Sequence, residues 1–117
     1  MFRLAVFNVM AHNQDDHAKN FSFLMNEFGE WKLSPAYDLT FSNGPGGEQS
    51  TMVLGEGRNI TVKHLSKLGE EAQLSKEFIE NVIEQTLSAL GKWQSLSKKY
   101  GVSDVNMQLI SKTISKF

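Results

Sequence analysis

Cysteine is absent from the 117-residue chain, which excludes a disulfide framework, a zinc ribbon and a thiol nucleophile. An excess of either charge is absent too, because 12 Lys and Arg nearly balance 13 Asp and Glu. Dedicated binders of nucleic acid or of anionic membranes need surplus positive charge. The sequence also lacks a hydrophobic run that could span a bilayer and a recognisable signal peptide. It therefore predicts a cytoplasmic protein with no direct nucleic-acid or membrane partner.

The composition is that of an ordinary folded protein. Hydrophobic residues make up 40% of the chain and charged residues 21%. A disordered chain would have fewer apolar residues and a larger net charge. Two domains of half this length would each be short of a core, so we predict a single domain over residues 1–117.

The first segment, residues 2–12, has apolar side chains on nearly every face of a helix. This pattern predicts a helix that is buried all round, with a strand as the alternative. Chain termini normally lie at the surface, and no N-cap residue precedes Phe2. We therefore expect the chain to be a fragment of a larger protein, although Met1 could be the true start of an ordinary core helix.

The next segments predict a polar loop followed by a β-hairpin. Residues 13–20 are almost entirely polar and indicate a loop. Residues 21–25 and 31–34 alternate as two strands, joined by a turn that contains Gly29. Pro35 ends the second strand because proline cannot donate to a ladder.

A glycine-rich stretch separates the hairpin from the rest of the chain. Residues 42–50 contain three glycines around Pro45, but they match neither a P-loop nor a dinucleotide-binding motif. We therefore predict a mobile surface loop here. A short extended piece at residues 52–54 is expected to follow it.

From about residue 60, the apolar spacing changes from two to three and four, which predicts helices. One helix, capped by Thr61 or a neighbour, runs to about Ala72. A second begins at Ser75 and carries an apolar stripe through Trp93, and a third begins at Ser103. The expected fold class is mainly α, of the α+β type, with one short hairpin.

Three side chains could carry chemistry. Asp15 and Asn20 lie five positions apart in the polar loop, and Asp38 follows just beyond the hairpin. Because the second strand returns to the start of the first, Asn20 and Asp38 should lie at the same end of the hairpin. Their oxygens are ligands that Mg²⁺ prefers, usually together with phosphate oxygens and water. Asp15 is then free to approach a substrate hydroxyl.

This arrangement resembles the catalytic half of a protein kinase. There an Asp accepts the hydroxyl proton, an Asn five residues later binds a metal, and a downstream Asp binds metal too. Two differences are visible. His17 follows the Asp instead of preceding it in a His-Arg-Asp motif, and the downstream element is Tyr37-Asp38-Leu39 instead of Asp-Phe-Gly.

A longer string resembles the HipA-like family of bacterial serine/threonine kinases, the toxins of HipBA-type toxin–antitoxin modules. The strings are NQDDHAKNFSFL and WKLSPAYDL, with FNV before them and the helices from RNITVKHLSKLGEEA through Trp93 after them. The resemblance implies a kinase C-lobe-like fold, with Mg²⁺ as cofactor and ATP as substrate. It implies that Asp15 is the catalytic base and that Asn20 and Asp38 are the magnesium ligands. The nucleotide neighbours it implies are His17, Ala18, Lys19, Asn20, Tyr37 and Asp38.

The resemblance also implies partners. They are a protein substrate, for which an aminoacyl-tRNA synthetase is the best-known class, and a HipB-like antitoxin. Only 14 residues precede Asp15, too few for the glycine-rich loop, lysine and glutamate of a kinase N-terminal lobe. That lobe is the third expected partner. Two functions follow as hypotheses: a catalytic C-lobe, or a kinase-derived binding module that is inactive alone.

Less specific interpretations of the same residues remain open at this point. Asp15, Asp16 and His17 could form a solvated polar turn, since short motifs often occur by chance. Together with His12 they could form an adventitious transition-metal site. Asp38 could cap a turn, which is a common role for aspartate.

Overall fold

The computed structural model describes residues 1–117 as five helices and one two-stranded sheet. This is the mainly helical α+β fold with one hairpin that the sequence predicts. None of the helices combines the length and the hydrophobicity that crossing a membrane requires. The elements in chain order are α1 (Phe2–Met10), β1 (Phe23–Met25), β2 (Trp31–Leu33), α2 (Val62–Glu71), α3 (Lys76–Leu90), α4 (Trp93–Lys99) and α5 (Asp104–Ile114).

The hydrophobic core lies where α1 and α2 pack against α3. Gly69 permits the approach of α2 to α3, since a Cβ there would lie 2.6 Å from Ile79 Cγ1. Two residues outside these helices, Val53 and Ile60, complete the cluster. Its members are Val6, Val9, Met10, Val53, Ile60, Leu65, Ile79, Val82 and Ile83.

The burial of α1 differs from the sequence prediction. The segment is helical as expected, but it is not buried all round, because its first half is partly open to solvent. Arg3 is exposed and donates from Nη1 to Gln85 Oε1 at 2.7 Å, with its guanidinium 5.3 Å from the centre of the Phe78 ring. The second half of the helix is the buried part, from Val6 to Met10.

The predicted helix starts are confirmed, and one helix end is not. Ser75 and Ser103 cap α3 and α5, and Thr61 caps α2. The stripe expected to run through Trp93 in one helix is interrupted at Gly91, where α3 ends. Trp93 instead begins α4, and its indole Nε1 donates to the Met107 carbonyl oxygen of α5 at 3.2 Å.

The hairpin is shorter than predicted and lies mostly exposed. Phe23 pairs with Leu33 and Met25 pairs with Trp31 in an antiparallel register. Because cross-strand partners share one face of a sheet, these four apolar side chains lie on the same face. The turn is held by Asn26, whose Oδ1 accepts from two backbone amides at 2.9 Å.

The glycine-rich stretch predicted as a mobile surface loop packs against the polar loop instead. Gln49 is buried, and a Cβ at Gly44 would overlap the Glu48 carbonyl oxygen and lie 2.9 Å from that of Gln14. Position 44 therefore requires glycine because the backbone of neighbouring residues approaches it closely. The segment predicted as extended is a tight turn, with Leu54 at a positive φ of 53°.

Candidate active site

The polar loop after α1 is fixed by a short parallel pairing with the chain beyond the hairpin. The Gln14 amide donates to the Ser42 carbonyl oxygen at 3.0 Å, and the Ser42 amide donates to that of His12 at 3.0 Å. His12 adopts a positive φ of 56°, which turns the chain away from α1. The loop therefore runs beside residue 42 and ends in a single 3₁₀ turn, Ala18–Asn20.

Asp15 is the exposed residue of this loop. Its side chain is 52% exposed, whereas those of its neighbours Gln14 and Asp16 are buried. The carboxylate Oδ1 lies 3.6 Å from His17 Nε2. The Asp15 carbonyl oxygen accepts from Asn20 Nδ2 at 2.7 Å, which closes the loop. The Asp15 carboxylate is thus exposed to solvent, while hydrogen bonds to Ser42 before it and to Asn20 after it fix the backbone of the loop.

Tyr37 joins the Asp38 segment to the Asn20 turn. Its hydroxyl donates to the Lys19 carbonyl oxygen at 2.9 Å and lies 2.7 Å from Ser22 Oγ. The residue before Asp38 therefore contacts the residue before Asn20, at the end of the hairpin where the sequence predicts the two to converge. Asp38 itself has a positive φ of 55°.

The donor atoms at this position suit a hard cation. Asn20 uses its amide nitrogen on Asp15, so its side-chain oxygen is the atom left for another contact. The Asp38 carboxylate takes part in no hydrogen bond or ion pair, and only its main-chain oxygen is engaged. An amide oxygen and a carboxylate are among the few protein ligands that Mg²⁺ takes alongside phosphate and water. Whether they share an ion stays a prediction.

The comparison with protein families decides the identity of this fold. The HipA-like C-terminal domain matches residues 1–93, from α1 through α3. The chain belongs to the HipA-like C-terminal domain family. Comparison with curated proteins and with solved structures gives no significant match. The family resemblance predicted from the sequence is thereby confirmed.

The HipA-like domain holds its polar loop through Asp16, whose role sequence reasoning missed. Asp16 is 4% exposed, and its two carboxylate oxygens accept from Gln49 Nε2 at 3.0 Å and from the Thr51 amide at 2.9 Å. This anchoring shows that Asp15 and Asp16 differ in environment although they are adjacent and chemically identical. The polar sequence of residues 13–20 carries no pattern that separates the two.

The transition-metal alternative fails in this HipA-like domain. No three His, Asp or Glu side chains are grouped to hold a metal ion. Asp16 is occupied by Gln49 and the Thr51 amide. His12 stacks on Phe41 with ring centres 5.0 Å apart, and its Nε2 lies 3.0 Å from Asn43 Oδ1.

The other residues predicted to contact nucleotide lie around the 3₁₀ turn. Ala18 and Lys19 are exposed, and His17 is partly buried. His17 Nδ1 is buried without a hydrogen-bond partner in the protein. Tyr37 is exposed apart from its hydroxyl contacts. Their contact with a nucleotide stays a prediction.

A cavity of about 500 Å³ lies beside the loop and does not include Asp15, Asn20 or Asp38. Gln14, Arg58 and the end of α5 contribute to its lining. The predicted catalytic residues are instead on an open surface of the HipA-like domain.

Proposed function

We propose that this chain is the catalytic C-lobe of a HipA-like serine/threonine protein kinase, which transfers a phosphoryl group from Mg-ATP to a protein hydroxyl. The observation that carries the proposal is the hydrogen bond from the Tyr37 hydroxyl to the Lys19 carbonyl oxygen. It draws the segment with Asp38 to the turn with Asn20, while Asp15 is exposed on the same loop. These are the residue types, in the order, that kinase chemistry requires.

In this proposal, Asp15 is the general base. The acceptor hydroxyl oxygen attacks the γ-phosphorus of ATP, the bond from that phosphorus to the bridging oxygen of ADP breaks, and Asp15 accepts the hydroxyl proton. Mg²⁺, bound by Asn20 and Asp38, would neutralise charge on the phosphate oxygens. The interaction of Asn20 with the Asp15 carbonyl oxygen couples the base to the metal ligand through one short loop.

The nucleotide would lie over the 3₁₀ turn, beside His17, Ala18, Lys19 and Tyr37. The Lys19 ammonium makes no ion pair within the chain, so it can approach phosphate oxygens. The proposed partners are a protein substrate, which an aminoacyl-tRNA synthetase would exemplify, a HipB-like antitoxin and an N-terminal kinase lobe. A toxin role in a toxin–antitoxin module is part of the same proposal.

We expect residues 1–117 alone to transfer phosphate negligibly, because nothing among them covers the nucleotide or clamps its phosphates from above. The test is a phosphotransfer assay together with ATP calorimetry, performed on the chain alone and after mixing with a HipA-like N-terminal lobe. The proposal predicts weak, Mg²⁺-dependent ATP binding by the chain and transfer only by the mixture. Robust transfer by the chain alone would contradict the need for the lobe, and no transfer by a stable complex would contradict the kinase proposal.

The exposed face of the hairpin favours the alternative function, a kinase-derived binding module. Phe23, Met25 and Trp31 are 56%, 57% and 66% exposed on one face. Apolar surface of this kind marks contact sites in folded proteins. A chain that captures the N-terminal lobe or the antitoxin but binds no Mg-ATP, alone or in the complex, would support this alternative over the catalytic one.

A further inference from the structure

We propose that Asn13 is a positioning residue, which sets the place of the Asp38 main chain relative to the loop that carries Asp15. The hydrogen bonds of Asn13 carry this inference by themselves. Its consequence for Mg²⁺ rests on the proposed function. Asn13 has no assigned role in the sequence pattern, where it is one of several polar residues before Asp15.

The Asn13 side chain is 3% exposed and uses all of its hydrogen-bonding groups. Its Nδ2 donates to Asn8 Oδ1 at 3.0 Å and to the Asp38 carbonyl oxygen at 3.5 Å, the longest of these bonds. Its Oδ1 accepts from Ser42 Oγ at 2.9 Å. Its main-chain amide donates to the Asn8 carbonyl oxygen at 2.8 Å, and its own carbonyl oxygen accepts from Gln49 Nε2 at 3.1 Å. One side chain thus connects α1, the polar loop and the segment after the hairpin.

The Asp38 segment has little else to hold it. The bond from Asn13 is the one hydrogen bond that residues 38–41 receive, and Phe41 adds a stacking contact on His12. Asp38 also occupies the left-handed region at φ 55°, which aspartate tolerates better than most residues but at some cost relative to glycine. Contacts from its surroundings help to hold it there. Asn13 and the Tyr37 hydroxyl supply that support from the two sides of Asp38.

Asn13→Asp separates the contact of this side chain with Asp38 from its contacts with Asn8 and Ser42. It would still accept from Ser42, and the Asn8 amide could rotate to donate to it, so the contacts with α1 and Ser42 survive. The donor to the Asp38 carbonyl oxygen has no replacement, and a carboxylate oxygen would face that carbonyl instead. Asn13→Asp therefore breaks the Asp38 contact and also buries a carboxylate, which Ser42 Oγ and the Asn8 amide would pair. Asn8→Ala is the matched control, since it removes a partner of Asn13 Nδ2 and leaves the Asp38 contact in place.

The experiment uses NMR on the full 117-residue chain, with two measurements. The first is the backbone order parameter of residues 37–40, which needs no ligand. The second is the Mg²⁺ concentration at half-maximal shift of the Asn20 and Asp38 signals in the presence of ATP. We expect Asn13→Asp to lower the order parameters from a rigid ~0.85 toward ~0.6. We expect the Mg²⁺ midpoint to rise about fivefold, the effect of one lost hydrogen bond. Asn8→Ala should change neither by a comparable amount.

A double variant isolates the coupling. If Asn13 acts through Asp38, then adding Asn13→Asp to Asp38→Ala should raise the Mg²⁺ midpoint no further. Unchanged order parameters in Asn13→Asp would overturn the positioning role, and so would equal effects of Asn8→Ala. If Asn13→Asp lowers the order parameters but the wild-type chain shows no Mg²⁺-dependent shift with ATP, the positioning role is supported and the proposed kinase function is rejected.

Discussion

Asp16 and Thr51 are joined twice, although 35 positions separate them in the sequence. The Asp16 carboxylate accepts from the Thr51 amide at 2.9 Å, and the Asp16 carbonyl oxygen accepts from the Thr51 hydroxyl. The second carboxylate oxygen accepts from Gln49, so both oxygens are paired inside the protein. Asp16 thereby fastens the glycine-rich stretch to the loop that presents Asp15.

Removing this carboxylate should destabilise the fold. Bonds to a buried charged group contribute about 1.5–3 kcal/mol, and unpaired partners lose more. We therefore expect Asp16→Ala to lower the free energy of unfolding by about 3 kcal/mol, measured by urea denaturation. The matched control is Asp15→Ala, an exposed neighbour of the same type, which should change it by less than about 0.5 kcal/mol. Equal effects at the two positions would contradict the anchoring role.

Gly44 should tolerate no side chain. A Cβ there would overlap the Glu48 carbonyl oxygen, so Gly44→Ala must push the glycine-rich stretch away from Gln14. We expect a loss of about 1–3 kcal/mol in the free energy of unfolding, the usual effect of overpacking. Gly91→Ala is the control, because Gly91 is in the right-handed helical region and its Cβ would meet no atom closer than 3.4 Å. A lower melting temperature for Gly91→Ala than for Gly44→Ala would contradict this account.

Glu56 should make stability depend on pH. The backbone amide of Asn59, and then that of Arg58, donates to its carboxylate and lowers the pKa of Glu56 below the ordinary 4.5. The folded protein therefore binds this proton less readily than the unfolded chain. The stabilisation is complete above pH 4.5 and is lost as the pH falls through the folded pKa.

Glu56→Gln tests this dependence, since it removes the titrating group. The unfolding free energy of the variant, measured from pH 6 down to pH 3, should fall less steeply below pH ~4.5 than that of the wild type. Glu27→Gln is the control, at an exposed glutamate of the hairpin turn whose carboxylate accepts no hydrogen bond. An identical profile for Glu56→Gln and wild type would reject the assignment.

The two acidic residues of the candidate active site should respond differently to removal. In the enzyme completed with an N-terminal lobe, Asp15→Ala should lower kcat by about 10²–10⁴-fold, because it removes the general base. ATP affinity should stay within about twofold, because Asp15 contacts the acceptor hydroxyl and no phosphate. Asp38→Ala should lower both kcat and Mg-ATP affinity. Calorimetry and steady-state kinetics on the same preparations separate these outcomes, and full activity in Asp15→Ala would remove the base assignment.

Patterns with a short period were sufficient to predict α1, α2, α3, α5 and the hairpin from the sequence, but not α4 as a separate helix. Ser75 and Ser103 are recognisable N-caps, and the apolar spacing of three and four after each one predicts a helix and not a strand. The end of α3 was missed because Trp93 continues the apolar spacing after Gly91 has ended the helix. Apolar spacing alone does not show the break at Gly91, because the spacing continues across it from α3 into α4.

Local sequence patterns also explain which parts of the candidate site could be predicted. Asn20 and Asp38 could be related through a local hairpin, whose geometry the sequence specifies. The buried partners of Asp16 lie far along the chain, in a stretch whose glycines indicated flexibility. Polar pairing over such separations leaves no periodic signal. Asn8 was the one clue, because a polar residue in the apolar half of α1 requires a buried partner.

The position of α1 affects how this domain is made. The helix supplies Val6, Val9 and Met10 to the core, yet the surface that covers them belongs to α2 and α3. Synthesis proceeds at roughly 5–20 residues per second, so the ribosome releases α1 several seconds before α3 exists. During most of that interval neither α2 nor α3 is available to cover its apolar side chains, which leaves these side chains open to chaperones. The helix thus waits for α3, and the polar loop attached to it cannot be fixed in place earlier.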